Sequence, residues 1–381
     1  VETVRMRDAG SWMQHYRQCE HLTIRGITVF NHVSYNNDGL NIDSCRDVTI
    51  TGCMVDSDDD AIVLKSLSLD PCENVTISDC VVSSHCNSIK MGTESGGGFQ
   101  NINVTNCTIC SPRYSKVIYG RQRGLAGVAL EIVDGGTLNR VVISNLTIKG
   151  VTVPVFMRLG NRARLYEKDQ VKPDVGYHVG YPTVVGKFRN VIVSNIIATD
   201  CSSIGCSITG LPEHPIENVS LADIHLAFEG GGTKEEASRE IPEKAESYPE
   251  STMFGSLPAY GFFCRHVNGL RLHNLRFETS APDYRHAVVF DDVNKAVIDS
   301  VDAPFASDAA AMIRCTNSRN ILICNCQPPR GTELFLDLRG PQTKDILLLS
   351  NDLSRVKEIA NLAAEVPEFA LVLQANQLPE K

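Results

Sequence analysis

Asn37-Asp38-Gly39-Leu40-Asn41-Ile42 and Asp58-Asp59-Asp60-Ala61-Ile62-Val63-Leu64-Lys65 decide the fold. In each, an acidic turn opens a short strand with apolar residues at every second position, and Asp38 and Asp60 are 22 residues apart. One coil of a β-solenoid uses some twenty to thirty residues, so positions one period apart lie about 5 Å from each other, one strand spacing. The spacing therefore places Asp38 beside Asp60.

The same period runs along nearly the whole chain. Four-residue segments with strict alternation begin at His21, Asp47, Asn74, Asn101, Arg140, Asn190, Asn218, Gly269, Lys295, Asn320 and Asp345, each a polar residue or glycine followed by a pair of core positions. Most steps fall within 24 to 28 residues, and the longer ones carry insertions. Period two over four residues indicates a strand with one buried face. Repeated at this interval, it predicts an all-β fold, a single-stranded parallel β-helix, because sandwich turns come every 8 to 12 residues or so. Residues 1–381 read as one such domain, with a long loop insert at about 229–259 and a C-terminal cap at about 353–381 whose first part, 353–362, has the spacing of a short amphipathic helix.

Cysteines keep the same register. Cys53, Cys80 and Cys107 recur 27 apart, and Cys19, Cys45 and Cys72 recur at steps of 26 and 27. They read as stacked core thiols, since an unoxidised cysteine packs as a small hydrophobe. Cys201/Cys206 and Cys324/Cys326 are the candidates for disulfides, and no two CxxC pairs occur as a structural zinc site would need. The formal net charge of −9 argues against a nucleic-acid partner. No apolar run approaches the length of about 18 residues that would span a membrane.

Parity places the chemistry. Leu40/Ile42, Ile62/Leu64 and Ile89/Met91 are the inward pairs, and two residues before each pair stand Asp38, Asp60 and Asn87, with Asp59 of opposite parity beside them. Clustered carboxylates push each other's pKa values apart, leaving one protonated while another stays ionised. Glycoside hydrolysis needs such a set: an acid for the leaving oxygen and a base for water. Asp58 reads as a turn cap. Adjacent carboxylates also suit calcium, and basic side chains gather nearby at Arg158 and Arg162.

At these residues the chain resembles glycoside hydrolase family 28, the polygalacturonase family of right-handed parallel β-helices. The resemblance runs over about residues 10–293. Asn36-Asn37-Asp38-Gly39 is similar to the family's NTDG element and residues 58–66 to its GDDCIALKS element. It implies Asp59 as general acid, Asp38 and Asp60 as the carboxylates that hold and activate water, single displacement with inversion, no metal and no other cofactor. Asn37, Lys65, His85, Asn87, Lys90, Glu131, Arg158 and Arg162 are the expected substrate-binding residues. Two elements depart from the family: its GHG aligns with Cys86-Asn87-Ser88, with His85 nearby, and its RIK aligns with Ala129-Leu130-Glu131. The expected substrate is a pectin-like plant or algal polysaccharide or its oligosaccharides, with an altered sugar at the cleavage subsite. Glu131 is expected to hydrogen-bond a neutral sugar or to pair with Arg158 or Arg162. The resemblance also implies secretion or a periplasmic location, and coils upstream of Val1. A calcium-assisted polysaccharide lyase and a non-catalytic carbohydrate-binding helix are the alternatives.

Overall fold

The computed structural model describes residues 1–114, 116–164 and 184–379. Its strands pair in parallel and wind as a right-handed parallel β-helix, the architecture that the repeat predicts. Two compact units divide the chain: Val1–Val191 with Glu243–Met253, and Ile192–Pro242 with Phe254–Lys381.

In the first unit Leu40, Ile62, Ile89, Val128 and Val155 pair in succession, and Ile42, Leu64, Met91, Leu130 and Met157 run alongside them. All of these side chains are 1% exposed or less. Each stabilises the stack by roughly 1.5–3 kcal/mol before chain entropy is counted. A second ladder joins Val48, Val75, Ile102 and Val141. In the second unit Val219, Leu270, Ala296, Ile321, Ile346 and Leu371 pair in succession. All fourteen cysteines are thiols, including Cys201, Cys206, Cys324 and Cys326, so neither candidate disulfide forms.

The residue leading each repeat has a conformational task. All eleven leading positions, from His21 to Asp345, have φ between +54° and +83°. A left-handed residue is what turns the chain into the next strand, and Asn, Asp and Gly adopt it at least cost. In the first unit these side chains also form a ladder: Asn74 Nδ2 donates to Asp47 Oδ1 at 2.8 Å, and Asn101 Nδ2 donates to Asn74 Oδ1 at 2.9 Å. Asn74→Val should therefore lower stability by ~1–2 kcal/mol, and Asn74→Gly by less, in denaturant titrations. Equal losses for the two would place the cost in the ladder and not in φ.

The glycine of the first acidic turn is required by close approach. A Cβ at Gly39 would lie 2.4 Å from Val55 Cγ1 and 2.5 Å from the carbonyl oxygen of Ala61. Two coils meet there with no room for a side chain, which fixes the spacing of the turns that carry Asp38 and Asp60.

Residues 353–362 do not form the helix that their spacing predicts. Glu358–Leu362 is a strand in parallel register with Leu334–Arg339, and Leu371–Gln374 pairs with Lys344–Leu349. Leu353 and Val356 are buried, so the helical spacing reflects the approach to the strand. Pairing with the preceding coil satisfies backbone groups that an isolated short helix would leave open at its ends. The insert at about 229–259 has one short helix, Lys234–Ala237, begun by a capping box between Thr233 and Glu236. Its continuation, Glu243–Met253, belongs to the first unit.

Candidate active site

The two acidic turns and the Asn87 turn stack as parity predicts. The backbone N–H of Gly39 donates to Asp60 O, and that of Ala61 to Asn87 O, both at 2.9 Å. Asn87 reaches Asp60 Oδ1 through its side-chain amide at 2.7 Å and its backbone N–H at 3.2 Å. Asn37 accepts the N–H of Asp59 at 3.1 Å. The carbonyl of Asp59 accepts from Ser57 Oγ at 2.7 Å and Ser84 Oγ at 2.6 Å. Asp59 therefore sits on a turn clamped by the coils on either side.

Two lysines divide the carboxylates between them. Lys65 Nζ lies 3.6 Å from Asp38 Oδ2 and 3.1 Å from Glu94 Oε2, with the Trp12 ring centroid 4.8 Å away. Lys90 Nζ lies 3.0 Å from Asp60 Oδ2 and 3.7 Å from Glu131 Oε2. Glu131 is fully buried and accepts Thr93 Oγ1 at 3.2 Å; of the two expectations for it, the ion pair with Arg158 or Arg162 is replaced by one with Lys90 among the described residues. Asp59 has no ion-pair partner among the described residues; its Oδ1 accepts the N–H of Asp60 at 2.9 Å.

These surroundings shift the protonation states. Burial, with the charge of Asp60 added, pushes Asp59 up to about 6 against the pull of Lys90 and Lys65. Burial also raises Asp38 well above the usual carboxylate range, although Lys65 opposes it. Glu131 is pushed up to about 8 by burial. Burial would raise Glu94 too, but the charges of Lys65 and Arg162 outweigh it and hold Glu94 down to about 2. Burial pulls Lys90 down; Asp60 and Glu131 overcome this and raise it well above its ordinary value.

Three residues of this group were not legible as site residues. Glu94 follows the Asn87 turn on the same strand. Tyr248 and Glu250 come from the insert: Tyr248 OH accepts from Thr93 Oγ1 at 3.0 Å and Lys90 Nζ at 3.4 Å. Glu250 has a buried Oε2 with no hydrogen-bond partner among the described residues, and burial together with Asp60 and Asp59 pushes it up to about 7, against Lys90. The only sequence signal was the length of the insert and its run of glutamates.

The remaining predicted residues take other places. Arg158 Nη2 donates to the carbonyls of Glu243 at 2.7 Å and Lys244 at 3.2 Å, pinning the insert segment that carries Tyr248. Arg162 grips both oxygens of Asp134 and reaches Glu94 Oε1 at 3.9 Å. His85 is fully buried beside His32 and Asp58, with Nδ1 3.0 Å from the carbonyl of Arg121. Asp58 caps backbone, as expected, accepting the N–H groups of Ile118 at 2.7 Å and Tyr119 at 2.8 Å.

Among solved structures, a hyperthermoactive exopolygalacturonase from Thermotoga maritima is 21% identical, with 60% of this chain and 47% of that chain covered and a TM-score of 0.47. The GH136 lacto-N-biosidase from Eubacterium ramulus is 10% identical, with coverage of 94% and 63% and a TM-score of 0.35. An endo-xylogalacturonan hydrolase from Aspergillus tubingensis is 11% identical, with coverage of 93% and 92% and a TM-score of 0.33. The chain thus spans about half the length of the Thermotoga maritima enzyme. No curated protein matches it. The family model for glycosyl hydrolases family 28 matches residues 1–247, well over half of the sequence, and the chain belongs to that family.

Proposed function

We propose that the protein hydrolyses a glycosidic bond in a pectin-like polysaccharide or its oligosaccharides, with Asp59 as general acid and Asp38 and Asp60 holding the attacking water. The observation that carries this reading is the contrast among three adjacent carboxylates: Asp38 and Asp60 each pair with a lysine, and Asp59 has no ion-pair partner among the described residues. A carboxyl that keeps its proton to about pH 6 can donate to the leaving oxygen, while Asp60, paired with Lys90, suits the activation of water on the opposite face of the sugar and Asp38, raised by its own burial, helps to hold that water. Displacement with inversion follows from that division of labour, and proton NMR of the first-formed anomer checks it.

The sugar at the cleavage subsite is inferred to be neutral. In place of the family's arginine and lysine stand Ala129 and Glu131, and the nearby cation, Lys90, is already offset by Asp60 and Glu131. A uronate carboxylate would meet the charge of Asp60 beside the lysine that already pairs with it. The same pairing opposes the lyase reading, because lysines held protonated by carboxylates are poor bases for proton abstraction. Among the described residues no helix is long and apolar enough to cross a membrane; secretion or a periplasmic location is inferred from the family.

The test is a screen of the purified chain against homogalacturonan, branched pectins, arabinogalactans and algal polysaccharides, reading new reducing ends and ultraviolet absorbance together. New reducing ends without unsaturated products are expected, with homogalacturonan a poor substrate. Unsaturated products would replace hydrolysis by elimination, and binding without turnover would replace it by recognition. The rate should fall as pH rises through about 6, because the acid form of Asp59 is present below that value and lost above it. A rate that stays flat from pH 5 to about 8 would remove Asp59 from the acid role.

A further inference from the structure

Three buried side chains that the acid site does not use converge one residue away from it. His32 is 1% exposed, and Asp58 and His85 are fully buried. One ligand atom from each lies within 4.8 Å of the other two, and the two imidazole rings are edge to face with centroids 5.4 Å apart. They hold equivalent places on successive coils. Asn31 pairs with Ser57 and Ser57 with Ser84, and His32, Asp58 and His85 are the next residue in each case.

The outer atoms of both rings determine what the inner atoms offer. His85 Nδ1 is 3.0 Å from the carbonyl oxygen of Arg121, which can only accept, so Nδ1 carries the hydrogen. His32 Nε2 is 2.9 Å from a carboxylate oxygen of Asp56, which places the hydrogen on Nε2. The second nitrogens, His32 Nδ1 and His85 Nε2, are left to offer the lone pairs, and neither atom has a hydrogen-bond partner among the described residues. The Asp58 carboxylate, fixed by the N–H groups of Ile118 and Tyr119, adds a third electron-pair donor. Three buried donors of electron pairs face one another, and a buried polar atom left without a partner is unfavourable.

We propose that His32 Nδ1, His85 Nε2 and an Asp58 oxygen bind one divalent transition-metal ion of the zinc class. Two imidazoles and a carboxylate suit zinc and its neighbours better than calcium or magnesium, which take oxygen ligands. The second ring nitrogens are bonded to a carboxylate and a backbone carbonyl, the partners that orient metal-binding histidines. The ion would tie three coils together at the turn that presents Asp59, so its role is structural.

The test uses the full chain, stripped with chelator, dialysed and titrated with Zn²⁺ alone. The expected result is one equivalent bound and a higher Tm. His32→Ala should abolish stoichiometric binding, whereas His21→Ala, a surface histidine variant, should not. Asp56→Asn, which changes only the part-exposed partner of His32, should weaken binding by roughly 10–100-fold with the fold retained. Substitution with Co²⁺ should give a nitrogen and oxygen ligand spectrum without thiolate bands, which separates this site from the cysteines. A wild-type chain that takes up no zinc, binding unchanged in both His32→Ala and Asp56→Asn, or thiolate bands with Co²⁺ would each overturn the proposal.

Discussion

Asp59→Asn is expected to lower kcat by ~10²–10⁴-fold, the range that general acid catalysis contributes, with little change in KM. The substitution keeps the shape of the side chain, and its amide oxygen can still accept the N–H of Asp60 that Asp59 Oδ1 accepts at 2.9 Å. The turn itself is held through the backbone of Asp59 by Asn37, Ser57 and Ser84, so Tm should hardly move. What is lost is the proton. A substrate with a good leaving group, such as an aryl glycoside, needs little protonation and should lose far less than the natural one. Parallel losses on both substrates would assign Asp59 to positioning, and full retention of activity would remove it from the mechanism.

Lys90→Met should cost about 3–5 kcal/mol of stability, the usual result of leaving buried charge without its partner. Lys90 is 1% exposed and stands between Asp60 and the fully buried Glu131. Methionine fills the stem but leaves two carboxylates facing each other. Glu131 is already pushed up to about 8, so its folded pKa exceeds the unfolded value. The stability it contributes is fully present below the unfolded pKa near 4.5 and is lost as pH rises through about 8. Removing Lys90 takes away the opposing pull and extends that loss to higher pH. The variant should therefore recover stability at acid pH, and Lys90→Met with Glu131→Gln should recover part of it at neutral pH. Chemical denaturation at two pH values measures both effects. A single variant as stable as the parent at neutral pH would mean that the lysine and its carboxylates were never coupled.

Much of this architecture is written in local pattern. Period-two alternation places Leu40, Ile62 and Ile89 in one ladder, and the same arithmetic brings Asp38, Asp60 and Asn87 to one strand edge. It would also have placed His32, Asp58 and His85 in line, since each follows its strand by one residue; only the chemical contrast among them hid the alignment. Pattern failed at 353–362, where apolar spacing of Leu353, Val356 and Ile359 suggested a helix. The backbone of the preceding coil recruited Glu358–Leu362 as a strand instead.

Partners across the insert could not be read this way. Tyr248 meets Lys90 and Thr93 across 158 and 155 residues, and Arg158 holds the insert's backbone across 85. The departure at Glu131 looked like the loss of a cation from the site, yet Lys90 from the previous coil supplies one against it. The sequence by itself determined the coil, its register and the row of carboxylates, because parity and a fixed period convert chain position directly into place. Only the tertiary structure decided which carboxylate each lysine neutralises and which loop side chains enter the site, because those choices depend on side-chain reach and burial across segments that no repeat relates.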